Sequence, residues 1–196
     1  GFPSSFNKVY RVEFVGNPIR DEIASFMKAE NFLKDNKQTK FNLLILGGSQ
    51  GSEQLNSIIM NCLERIEEKV NWKIIHQSGK NDKRRLSKFY SKLKLEFTVE
   101  AFIKDMGKAY QKADLIVSRA GAMTIAELLA MRKPSILLPL PWATDNHQFF
   151  NASYLKKIGA AEIITSKEEN SQKLANLISD LAKDKERRLS MSNSAK

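Results

Sequence analysis

One rhythm constrains this chain more than any other feature: short apolar runs of strand length alternate with stretches of helical periodicity from residue 42 almost to the end. Residues 42–46 read as a buried strand, and Leu55, Ile58, Ile59, Cys62, Leu63, Ile66 and Val70 then recur at helical spacing. The alternation continues with "WKIIH" as strand, "DKRRLSKFYSKL" as helix, "EFTVE" as strand, "MGKAYQKA" as a short helix and "DLIVS" as strand. It is extended by "MTIAELLAMR" as helix, "PSILLP" as strand, "NHQFFNASYLKKIG" as helix and "AEIIT" as strand, followed by two C-terminal helical stretches. Short apolar strands, each leading into a helix, predict an α/β fold: a Rossmann-like parallel sheet with helices on both faces. Residues 1–40 read as an entry segment with a helix and the polar linker "KDNKQTK", and residues 41–196 as the α/β domain itself.

Composition narrows the function classes. The longest apolar runs fall well short of the roughly 20 residues needed to span a bilayer, and "GFPSSFNKVYRVEF" lacks the charged head and apolar core of an export signal. The lone cysteine, Cys62, falls on the apolar side of a predicted helix, where it reads as a buried structural thiol. His76 and His147 lie far apart with no metal-ligand spacing around them, so neither a protein-bound metal nor another cofactor is expected. The formal charge of +10 attracts polyanions: nucleic acid, an anionic lipid surface or a phosphorylated substrate. Much of that charge sits in "KNDKRRLSKFYSKLK" and "KDKERRLS", which read equally as solvated helix faces. Neither has the stacking aromatics or zinc spacing of a nucleic-acid module, and no nucleic-acid partner is expected.

Parallel sheets of this kind bind ligands at the carboxyl ends of their strands, where strand order reverses. Three candidate loops follow strands. In "GGSQG", Gly47, Gly48 and Gly51 permit a sharp bend and close approach to a ligand, Ser49 offers a hydroxyl, and the next helix starts with its amides facing the same spot. A simple tight turn would account for the same residues. In "SRAGAMTIAELL", Gly121 and Ala122 keep side chains out of the way and the amides of Met123 and Thr124 form a second anion seat. One turn on, Glu127 could accept hydrogen bonds from the vicinal hydroxyls of a ribose; alternatively Thr124 caps the helix and Glu127 answers its dipole. In "PLPWATDNHQFFNA", Asp145, Asn146, His147 and Gln148 gather donors and acceptors suited to a sugar, or else simply cap the helix. Together the loops describe a cleft for a phosphorylated nucleoside carrying a sugar.

From "GNPIR" through "GGSQG", "HQSGK", "FIKDM", "AYQKADLIVSRAGAMTIAE" and "DNHQFFNASYLKKIGAA", in that order, the chain resembles the MurG family of bacterial N-acetylglucosaminyltransferases. The likeness is to the C-terminal, nucleotide-sugar-binding half of a two-domain GT-B enzyme. It implies a UDP-N-acetylglucosamine donor, with Arg20 and Ser49 near the diphosphate and the Ile103 backbone on the uracil edge, Met106 nearby. It further implies that Ala122, Met123 and Thr124 frame the phosphates, Glu127 binds the ribose and Gln148 the sugar. Where part of the family has two consecutive glutamines, this sequence has His147 and Gln148.

The resemblance also implies what other parts of such an enzyme supply. The catalytic base and the surface for the undecaprenyl-diphosphate-linked muramyl pentapeptide belong to an N-terminal domain without counterpart in these residues. No catalytic residue is therefore expected in this chain, which reads as one domain of a longer protein, stopping short of the family's last helix. The implied setting is the cytoplasm, peripheral on the inner face of the bacterial membrane, where the positive charge suits anionic lipid. A dolichol-linked relative of the transferase and a basic polyanion-binding module are the competing readings.

Overall fold

The computed structural model describes residues 17–28, 40–140, 146–165 and 171–195. Most of the entry segment, most of the "KDNKQTK" linker and Asp145 lie outside the described residues. Six strands form one sheet: β1 Phe41–Leu46, β2 Trp72–Gln77, β3 Glu96–Glu100, β4 Leu115–Ser118, β5 Ser135–Leu137 and β6 Ala161–Ile163. All neighbours pair in parallel, in the order β3-β2-β1-β4-β5-β6. The helices are α1 Asp21–Lys28, α2 Glu53–Arg65, α3 Lys83–Tyr90, α4 Met106–Lys112, α5 Ala122–Ala130, α6 His147–Lys157, α7 Ser171–Lys183 and α8 Lys185–Ser194. The Rossmann-like reading of the sequence is thus the observed fold.

The two-residue period of β1 divides the core. Leu43 and Ile45 join Leu55, Ile59, Leu63, Leu86, Tyr90, Leu174 and Ile178, so α2, α3 and α7 cover one face. Leu44 and Leu46 turn the other way and join Ile23, Tyr110, Ile125, Leu128, Ala152 and Leu155, so α1, α4, α5 and α6 cover the opposite face. A central strand with both faces covered has to be apolar at every side-chain position that meets a helix, which is why residues 43–46 read as a continuous run.

The helix after β1 is shorter than its apolar spacing predicts. Ile66 takes an extended conformation, with φ −89° and ψ 114°, and its N–H donates to the Leu63 carbonyl to close the helix. Ile66 is still a core residue, but Val70 is 82% exposed and lies beyond the helix. The helical spacing of Val70 is therefore coincidental: the chain is already turning toward β2.

Strand order reverses between β1 and β4, leaving a crevice at their carboxyl ends. The helix expected in the entry segment is α1, which reaches this region by packing on α4. Gly107 makes the approach possible, because a Cβ there would meet a Phe26 ring carbon at 2.5 Å. Ile23, fully buried beside it, contributes about 1.5–3 kcal/mol by leaving water.

Candidate functional site

The loop after β1 is held from behind. Gly51 has φ +82°, and a Cβ there would lie 2.5 Å from the Ser78 carbonyl oxygen and 2.7 Å from Gly79 Cα. Its lack of a side chain thus serves contact between this loop and the one after β2, rather than only an approach to a ligand. Gln77 strengthens the same contact: its Nε2 donates to the Gly48 carbonyl at 2.8 Å, and its Oε1 accepts from the Ile103 N–H at 2.9 Å. Ser49 is exposed in the turn, and Ser52 caps α2 by accepting from the Leu55 N–H at 3.3 Å.

A buried polar network backs this arrangement. Asn56 Nδ2 donates to the Ser78 carbonyl at 3.0 Å and to Asp82 Oδ2 at 2.8 Å, so Asn56 Oδ1 faces His76 Nε2, 3.0 Å away. That oxygen can only accept, so the His76 proton sits on Nε2, and Tyr90 donates to Nδ1 across 2.9 Å. Burial keeps the ring neutral and pushes its pKa down to about 3. His76 is therefore a positioned core group, as is Cys62, whose thiol burial pushes up to about 12. Among the described residues, no group of three or more His, Cys, Asp or Glu could hold a metal ion.

The loop after β4 carries a side chain that the sequence reading passed over. Arg119 is buried, and its guanidinium donates to the Leu138 carbonyl at 3.0 Å, to Gln54 Oε1 at 2.9 Å and to Ser52 Oγ at 3.4 Å. One residue thereby ties the ends of β1, β4 and β5 together across the crevice. A charged residue so close behind the apolar run Leu115–Val117 is the available signal. Beyond it, Gly121 is the N-cap of α5 and offers no side-chain cap, which leaves Ala122, Met123 and Thr124 as the first turn. Thr124 lies inside the helix and is not its cap.

The third loop closes against the second. Gln148 Oε1 accepts from the Leu140 N–H at 3.0 Å and the Ala120 N–H at 3.3 Å, and Asn151 Nδ2 donates to the Ala120 carbonyl at 3.0 Å. These bonds fix the orientation of the Gln148 amide, with its oxygen turned toward the two loops. His147 is exposed at the start of α6, whose N-cap Asn146 adopts a left-handed conformation without a side-chain cap bond. Ile103 and Met106 are buried in the core on the face that α1, α4, α5 and α6 cover. The Ile103 N–H is already given to Gln77, and a base contact by that residue falls to its carbonyl.

Arg20 and Glu127 come together directly. Arg20 Nε stands 3.2 Å from Glu127 Oε1, while the Tyr110 hydroxyl donates to Glu127 Oε2 at 2.9 Å. Burial raises the Glu127 pKa above the usual carboxylate value, against the opposing pull of Arg20 and the Tyr110 hydrogen bond. Tyr110, like Arg119 and Gln77, escaped the sequence reading because its partner is 17 residues away and its burial looks like ordinary core. The structure therefore gathers the loops bearing Ser49, Thr124 and Gln148 at one end of the sheet, with Arg20 and Glu127 against the second of them.

This arrangement can seat an anion at the uncapped start of α5, offer a carboxylate to hydroxyl groups and present an amide to a sugar. The chain is 41% identical over 180 residues to a UDP-N-acetylglucosamine:N-acetylmuramyl-(pentapeptide) pyrophosphoryl-undecaprenol N-acetylglucosamine transferase of Chromohalobacter salexigens, covering 92% of this chain and 49% of that protein. The protein of the same name from Coxiella burnetii is 38% identical over 199 residues, covering 100% of this chain and 54% of the relative. A crystal structure of Acinetobacter baumannii MurG superposes with a TM-score of 0.79 at 31% identity, covering 99% of this chain and 53% of that one. The chain thus spans about half the length of the curated relatives it matches. Residues 42–196 match the model of the glycosyltransferase family 28 C-terminal domain, and the chain belongs to that family.

Proposed function

We propose that this chain is the donor-binding half of an inverting glycosyltransferase. The complete enzyme transfers N-acetylglucosamine from UDP-N-acetylglucosamine to a muramyl pentapeptide on undecaprenyl diphosphate, in peptidoglycan synthesis. The observation that carries the reading is the rim built by Arg119, Gln148 and Asn151, which joins the strand-end loops around the open N-terminus of α5. In this reading the first-turn amides of α5 face the diphosphate, Glu127 takes the ribose, and the Gln148 NH2, with His147 beside it, takes the sugar. Ser49 and Arg20 complete the phosphate side, and Ile103 offers its backbone to the base.

The chemistry follows from charge. As the glycosidic bond breaks, negative charge grows on the departing UDP, and fixed amide dipoles and a guanidinium stabilise it without having to reorganise. The base that deprotonates the acceptor hydroxyl comes from the half of the enzyme outside this chain. Among the described residues no helix is long and apolar enough to cross a membrane. The +10 charge supports peripheral contact with anionic lipid on the cytoplasmic face, where a lipid-linked acceptor resides.

Isothermal titration with UDP and UDP-N-acetylglucosamine tests the reading. Both bind the wild-type chain, and Glu127→Ala weakens both by about tenfold or more, the loss of a charge-assisted hydrogen bond. No binding of either nucleotide to the folded chain would overturn it.

A further inference from the structure

The two oxygens of Glu127 have unlike neighbours. Oε2 accepts a well-placed hydrogen bond from Tyr110, a fully buried residue on α4. Oε1 is buried and accepts no hydrogen bond: Arg20 Nε is near enough for an ion pair, at 3.2 Å, but not aligned to donate. A buried carboxylate oxygen in that condition forgoes a stabilising bond, and a ligand hydroxyl would supply it.

The two neighbours also differ in how firmly they are held. The Tyr110 ring packs in the core with Ile23 and Ile125 and has nowhere else to go. The Arg20 side chain is 35% exposed, and its backbone carbonyl begins α1 by accepting from the Ile23 and Ala24 amides. Arg20 can swing away without disturbing the core, and Tyr110 cannot.

Within the donor-binding reading above, we propose that Tyr110 is a positioning residue that fixes Oε2 and reserves Oε1 for the ribose, while Arg20 occupies Oε1 only until a nucleoside arrives. Displaced by the ribose, the guanidinium becomes available to the diphosphate of the same ligand. A ligand without phosphates displaces Arg20 and gives it no new partner. Nucleoside and nucleotide therefore respond in opposite directions to loss of Arg20, which a single rigid contact would not produce.

The test titrates this chain with uridine, UDP and 2′-deoxy-UDP, by calorimetry or ligand-observed NMR, with thermal melting to verify folding. Arg20→Ala tightens uridine binding about threefold to tenfold and weakens UDP binding, so the ratio of the two affinities falls. Tyr110→Phe retains the ring and lowers the preference for UDP over 2′-deoxy-UDP by about tenfold. A purely structural tyrosine would weaken both nucleotides alike. An unchanged preference in Tyr110→Phe overturns the positioning role, and uridine binding that is unchanged or weaker in Arg20→Ala overturns the exchange. Should Tyr110→Phe fail to fold, Arg20→Ala decides the matter alone. A wild-type chain that binds none of the three ligands overturns the donor-binding reading instead.

Discussion

The starts of α2 and α5 stand on either side of the same crevice, and each follows a glycine-containing loop, yet they are finished differently. At α2 the cap is complete: Ser52 accepts the Leu55 amide and is in turn approached by Arg119. At α5 the cap is Gly121, which has no side chain to give. Both helices present a positive dipole end, but only α5 leaves its first turn without a side-chain cap. A glycine-rich loop before a helix is thus no sufficient sign of an anion seat. At α2, Gly51 serves loop-to-loop packing and Ser52 caps the helix.

That contrast can be broken by substitution. The largest effect is expected from Arg119→Ala, which removes the donors shared by Leu138, Gln54 and Ser52. It lowers stability by about 2–4 kcal/mol and also weakens UDP binding, because both helix starts lose their common tie. Chemical denaturation and calorimetry measure the two losses. Next comes Gly51→Ala, where the added Cβ lies 2.5 Å from a carbonyl at φ +82°. It costs about 2–3 kcal/mol, against about 1 kcal/mol for Gly48→Ala, where the same positive φ meets open space. Equal losses would show that the loops after β1 and β2 do not pack as described.

A pH scan sharpens the comparison further. His76 is held neutral on the α2 side, with its pKa pushed from an ordinary 6.5 to about 3. A base with a depressed pKa contributes stability above its unfolded value and loses it as pH falls, here from pH 6.5 downward. The slope from this group is about 1.4 kcal/mol per pH unit. Denaturation of wild type and His76→Gln between pH 7 and 5 isolates it, since the slope disappears in the variant. The smallest effect belongs to Ser52→Ala, which costs about 1 kcal/mol of stability and leaves UDP affinity nearly unchanged. A large loss of affinity there would put the anion at α2.

Much of this molecule is legible in its sequence. The β1 run, the turn after it and the helical spacing up to Ile66 follow from burial on two faces, which acts locally. Val70 was misplaced because periodicity has no information about where a cap ends a helix. The loops were found for the same local reason, but their closure was not. Arg119 joins residues up to 67 positions away, and Glu127 on α5 meets Tyr110 from α4 and Arg20 from just before α1. Such contacts are set by sheet order, and no spacing along the chain encodes them. Gln148 reads from the sequence as a sugar ligand, and no local pattern shows that its Oε1 fastens two loops together.

The central claim is that a nucleotide diphosphate sits at the open start of α5. An amide-resolved NMR titration of the chain with UDP tests it most directly. The account predicts the largest shifts at Met123 and Thr124, with Ile103 and Glu127 responding and the amides from Glu53 to Leu55 moving little. Shifts concentrated in the first turn of α2, with α5 silent, would contradict it.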